Sequence, residues 1–181
     1  MNKTNVFIVV FVIITIGCNR YLDKQSEINK VITNRDYELM ILGDKNIFKY
    51  KSPINAKRDD EIILTTLFEI SLPKKLLNFE IINMSEFSFY YAHRQCILIN
   101  NDNERKISIQ KDTFYVPDKK ELDAFISKCS KGSFKYNIRN NELIADRKFA
   151  FFKKQNSTIL LYNIEPNNFN YFLNSAKSLS Y

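Results

Sequence analysis

The stretch EFSFYYAHRQCILINNDN, residues 86 to 103, decides the fold class. Side chains alternate along an extended chain, so Glu86 to Tyr91 puts Phe87, Phe89 and Tyr91 on one side. Ala92 to Arg94 interrupts the run. Gln95 to Ile99 is apolar and β-branched again, and Asn100 to Asn103 supplies residues that favour turns. Two such runs separated by a short break read as antiparallel neighbours.

The same rhythm extends in both directions. Phe79 to Ile82 is an expected strand before this pair, and Arg105 to Ile109 an expected return after it. Tyr37 to Leu42 and Asn46 to Tyr50 flank Gly43-Asp44-Lys45, a hairpin turn. Ser52-Pro53 to Lys57 reads as a loop. Asp59-Asp60-Glu61 before Ile62 to Ile70, with apolar residues at 63, 67 and 70, predicts a helix. The β-branched Ile62, Ile63, Thr65 and Thr66 argue for a strand instead. Pro73 ends the element in either case.

Pro117-Asp118 opens the clearest helix. Asp118 can cap the first amides, and Glu121 three residues on completes a capping-box pattern. Leu122, Phe125, Ile126 and Cys129 fall at helical spacing on one face, and Gly132 suits the C-terminal stop. Ser133 to Ile138, Glu142 to Ala145, Lys148 to Phe152 and Thr158 to Tyr162 are expected strands, with turns at Asn140-Asn141 and Gln155 to Ser157. Pro166 starts a last helix with an apolar stripe of Phe169, Phe172, Leu173, Ala176 and Leu179. The class that follows is α+β, an antiparallel sheet of meander and hairpins with helices on one face. Residues 36–181 form a single domain, with no linker that would divide it.

The beginning of the chain is of another kind. After Met1-Asn2-Lys3-Thr4-Asn5 come eleven apolar or near-apolar residues, Val6 to Ile16. A bilayer-spanning helix needs about 20. Eleven suits the h-region of a secretory signal, typically about 7–15 residues. Read from the residues alone, the segment also suits an uncleaved signal anchor or a buried element. Thr15-Ile16-Gly17-Cys18 closes it with a small residue before a cysteine. This resembles the lipobox of bacterial lipoproteins, over residues 1–18 only, with Thr15 where leucine is usual. The resemblance implies a signal peptide at 1–17, lipid on Cys18 and a membrane-anchored tether at 18–35. Stable anchoring takes more than one acyl chain, and that family carries three. Asn19 to Asp23 lacks an acidic run, which favours a periplasm-facing position in the cell envelope.

The chain carries a net charge of +7, which the loss of Lys3 would lower by one. Its isoelectric point near 9.2 raises nucleic acid as a partner. Secretion argues against that partner and leaves anionic lipid headgroups or acidic glycans. The doublets Lys74-Lys75, Lys119-Lys120 and Lys153-Lys154 also suit a plain solvated surface. With Cys18 lipidated, Cys96 and Cys129 are the candidates for a disulfide in an oxidising compartment. Two buried thiols that never meet is the other reading.

Catalytic signatures are missing. The single histidine, His93, sits in the predicted turn, and no ligand spacing for a metal surrounds it. A His93/Cys96 dyad is disfavoured, because residues three apart beside a strand face opposite ways. No phosphate-cradling loop, nucleophile elbow or calcium loop is written in the chain, and no cofactor is implied. The phenylalanines read as core. Tyr90, Tyr136 and Tyr162 are the candidates for an exposed binding face that stacks a sugar or grips a peptide. The expected function is a lipid-anchored, non-enzymatic envelope protein that binds a protein or glycan, of an inhibitor or immunity-like kind. The alternatives are an envelope-polymer hydrolase using Asp or Glu residues that the sequence does not locate, and a structural component of an envelope complex.

Overall fold

The structure, a computed structural model, describes residues 29–51, 67–82, 85–101, 111–129, 143–155 and 157–181, with the backbone alone at 128 and 129. Strands β1 (Lys30–Thr33), β2 (Tyr37–Ile41), β3 (Lys45–Tyr50) and β4 (Phe68–Pro73) pair in that order as a four-stranded antiparallel sheet. A second antiparallel sheet holds, side by side, β5 (Asn78–Ile82), β6 (Glu86–Tyr90), β7 (Cys96–Asn101), β10 (Ser157–Ile164), β9 (Lys148–Lys154) and β8 (Thr113–Tyr115). Helix α1 (Lys119–Cys129) lies between β8 and β9 in the chain, and α2 (Phe169–Lys177) follows β10. The fold is α+β and mostly β.

Alternation explains how the layers meet. Leu39 and Ile41 of β2, Phe48 and Tyr50 of β3, and Phe68, Ile70 and Leu72 of β4 turn to one core. Phe87 and Phe89, Ile97 and Ile99, Phe152, Ile159 and Leu161 of the larger sheet turn to the same core. Phe172, Ala176 and Leu179 close it. The other side of the larger sheet carries Tyr90, Cys96, Leu98, Phe151, Leu160 and Tyr162, covered by Leu122 and Ile126 of α1. The larger sheet is therefore buried on both faces, with α2 on one side and α1 on the other. A central strand in that position reads as a near-continuous apolar run, which is what Ile159-Leu-Leu-Tyr162 is.

Phe48 joins the sheets. Its ring lies 5.5 Å from Phe79, 6.3 Å from Phe87 and 5.1 Å from Phe89, all edge-on across the layer. The chain end adds a strap. Ser180 exchanges two backbone hydrogen bonds with Glu69 of β4, and the Tyr181 hydroxyl meets Ser157 at the start of β10.

The β2–β3 hairpin, the β6–β7 pair, β5, β9, β10 and both helices match their sequence patterns. The Asp118 carboxylate accepts from the Glu121 amide at 2.8 Å, as a cap should. Three expectations change. The helix expected to reach Ile70 gives way to β4 from Phe68, because Phe68, Ile70 and Leu72 face the core two apart while Leu67 stays outside. Leu143 to Ala145 is coil and turn, since the Ile144 amide donates to the Asn163 side chain rather than to a ladder. Lys30–Thr33 pairs with β2, so the part of the tether from Lys30 belongs to the folded domain. The address segment, the loop 52–57, the helix start at 59–66, the return strand 105–109 and the strand 133–138 lie outside the described residues.

Candidate functional site

Three places hold chemistry. The first is at one end of the larger sheet. There the turn between β6 and β7, the approach to β9 and the exit of β10 converge. His93 Nδ1 lies 2.7 Å from Glu165 Oε1, and Arg147 Nη1 lies 2.7 Å from the same oxygen. The Asn168 side-chain amide donates to Glu165 Oε2 at 2.9 Å. Gln95 Oε1 accepts from the Glu165 amide at 3.0 Å, which fixes the carboxylate's backbone. His93, Arg94, Asp146 and Asn163 all have positive φ, between 55° and 65°. Such angles strain residues other than glycine and persist where the surroundings over-determine them. Asn163 tolerates them best. It sits at the bulge of β10 against β9, where its side chain holds the Ile144 amide.

This cluster sets one carboxylate against the Arg147 guanidinium and the His93 ring. It ties three connections together, and that is a clamp's chemistry. His93 stands out along the chain as the single histidine, whereas Glu165, 72 residues away, carries no local signal. Cys96 is no part of it. It lies on the other side of the sheet under α1, and burial pushes its thiol well above the ordinary range.

The second place is that buried face. Tyr90, Cys96 and Tyr162 stand in one row across β6, β7 and β10. Tyr90 and Tyr162 were expected on an exposed binding face, and they are 6% and 1% exposed. Helix α1 covers this side of the sheet, which is why it is closed to solvent. The Tyr90 hydroxyl donates to Glu80 at 3.1 Å. The Tyr162 hydroxyl is buried without a hydrogen-bond partner, and burial with nearby Cys96 and Asp123 pushes it up to about 12. Tyr136 lies outside the described residues, as does Cys18. Cys96 stands as a free thiol on the face that α1 covers; the Cys129 side chain is not among the described groups. Among the described residues no three His, Cys, Asp or Glu side chains form a metal-holding group.

The third place is the border of the larger sheet at β8. Phe114 is 45% exposed, and Val116 just past the strand is 62% exposed. Lys148 Nζ lies 5.3 Å over the Phe169 ring, which is 6.3 Å from Phe114. Lys153, paired with Thr113, lies 5.0 Å over the Tyr115 ring. Lys154 donates to the Lys177 carbonyl at 3.1 Å and is 3.9 Å from Asp112. The Tyr115 hydroxyl donates to Glu121 at 2.5 Å, holding the border against α1. The Lys153-Lys154 doublet is visible in the sequence, but Phe114 and Val116 were not among the expected surface residues. Their two-residue spacing just before Pro117 was the available signal.

No protein-family model matches the chain. No curated protein and no solved structure matches it either.

Proposed function

We propose that this chain is a lipid-anchored protein of the cell envelope, held in the membrane through Cys18, that works by binding a protein or glycan rather than by catalysis. The apolar run Val6 to Ile16 ending on Gly17-Cys18 carries the reading. It is too short to span a bilayer as a helix and has the length and ending of a lipoprotein signal.

The chemistry of the folded part is consistent with it. The one histidine shares a carboxylate with Arg147 and is not beside a nucleophile. The Cys96 thiol is buried and held protonated, whereas a reactive cysteine needs an exposed, lowered thiol.

The test is the intact mass of the protein taken from its native membrane, beside a Cys18→Ala variant. The expected result is the mass of residues 18–181 plus acyl chains, with the lipid absent in the variant. The mass of all 181 residues without lipid would refute the anchor.

A further inference from the structure

We propose that the β8 border is a membrane-docking edge, which lays the domain against a bilayer rich in anionic headgroups and inserts Phe114 and Val116 among them. The setting rests on the lipid anchor proposed above; the chemistry of the edge does not.

The border is built as a prong with a charged collar. Phe114 and Val116 are two residues apart along an extended segment, so they project to the same side. Both are large, apolar and exposed. Around them stand Lys148 and Lys154 on the α2 side and Lys153 on the α1 side. Lys148 lies over the Phe169 ring that neighbours Phe114, and Lys153 lies over the Tyr115 ring on the opposite face of the strand. Long lysine side chains lie along apolar surface in this way and keep the charge at a polar boundary.

The composition of the collar selects the partner. It is made of lysines, which act as compact point charges toward phosphates. The prong offers carbon alone. Phe114 and Val116 can donate nothing to and accept nothing from sugar hydroxyls, which disfavours a glycan. Apolar insertion beside lysines is the pattern of an interfacial anchor. Each lysine near an anionic surface contributes roughly 1 kcal/mol, about fivefold in affinity. Asp112, 3.9 Å from Lys154, and Glu121, which keeps its charge while accepting from Tyr115, offset two of the three lysines, so the collar keeps one positive charge in balance. From Cys18 to Asn29 there are eleven residues, which reach at most about 40 Å when extended. An anchored domain is therefore held with Asn29 within that reach of the bilayer.

The chain contains no tryptophan, so Phe114→Trp installs a single reporter at an exposed site. The full chain carrying it is mixed with vesicles of equal phosphatidylglycerol and phosphatidylcholine whose acyl chains are brominated. Quenching of the indole emission on these vesicles, and its absence on phosphatidylcholine alone, is the expected result. Combining Lys148→Gln, Lys153→Gln and Lys154→Gln in the reporter chain should weaken the quenching titration by about a hundredfold. A Val31→Trp chain, with its reporter on exposed β1, should stay unquenched. Vesicle-bound chain whose reporter at position 114 stays unquenched would overturn the inference while leaving the anchor intact. Equal quenching on neutral vesicles or at position 31 would overturn it too. Quenching at position 114 in a chain whose native mass shows no lipid would support the docking edge and refute the anchor.

Discussion

Truncating Phe48 tests whether contact between the sheets holds this domain together. Phe48 is fully buried on β3, and its ring meets Tyr37 and Phe68 within its own sheet and Phe79, Phe87 and Phe89 across the layer. Burying a phenylalanine contributes about 1.5–3 kcal/mol by transfer alone. Removal to alanine also leaves a cavity, and Phe→Ala in cores costs about 3–5 kcal/mol in total. With neighbours on both layers anchored in strands, the site can collapse little, so Phe48→Ala belongs at the upper end, about 4–5 kcal/mol. That is a large share of the roughly 5–15 kcal/mol typical of a domain. Phe48→Leu keeps most of the volume and should cost about 1–1.5 kcal/mol. The assay is guanidinium unfolding followed by far-ultraviolet circular dichroism, with the slope checked for constancy. A loss below about 1 kcal/mol in the alanine variant at unchanged slope would refute the reasoning. It would mean that the two sheets do not depend on this contact.

Further outcomes follow from the polar groups of the core and of the clamp. Tyr162→Phe removes a hydroxyl buried without a hydrogen-bond partner, and should stabilise by about 1 kcal/mol in the same unfolding assay. Glu165→Ala strips Arg147 of its ion-pair partner and the Asn168 side chain of its acceptor, and should cost about 2–3 kcal/mol. His93→Ala should cost less than about 1 kcal/mol, because that side chain is largely exposed. A reversed order of these two variants would show that the clamp is not centred on Glu165. Burial raises Tyr90, Tyr91, Cys96 and Tyr162, the last to about 12. The unfolded chain releases these protons first, near pH 9–10. Their contribution is therefore intact below about pH 9 and is lost as pH rises toward each folded value, at about 1.4 kcal/mol per pH unit per group. Thermal melting between pH 8 and 11 should show this alkaline fall, beginning later in Cys96→Ala; a flat profile would count against the burial of the row.

Local pattern was enough wherever one rule acted alone. Alternation of Phe87, Phe89 and Tyr91 placed a strand and its inner face together. Asp118 capped its helix because carboxylate and amide are neighbours in the chain. The stripe of Phe169, Phe172 and Ala176 matched a single apolar face. These elements needed no distant partner to be legible.

What depended on a second layer was illegible. Phe68 to Leu72 carries both helical and strand spacing, and β3 on one side with the opposite sheet below selected the strand. Tyr90 and Tyr162 look like surface aromatics along the chain, yet α1 is laid over them. Glu165 meets His93 only after β10 bulges at Asn163 and turns its exit toward the β6–β7 connection. Phe114 and Val116 became a prong because β8 is the last described strand on that side of the sheet, and nothing in residues 113–117 says whether another strand lies beyond. The amino-acid sequence by itself determined the strands, the caps and the apolar faces, since those follow from neighbours a few residues apart. The tertiary structure alone decided which of those faces stayed open to solvent, since exposure depends on what other parts of the chain are packed against them.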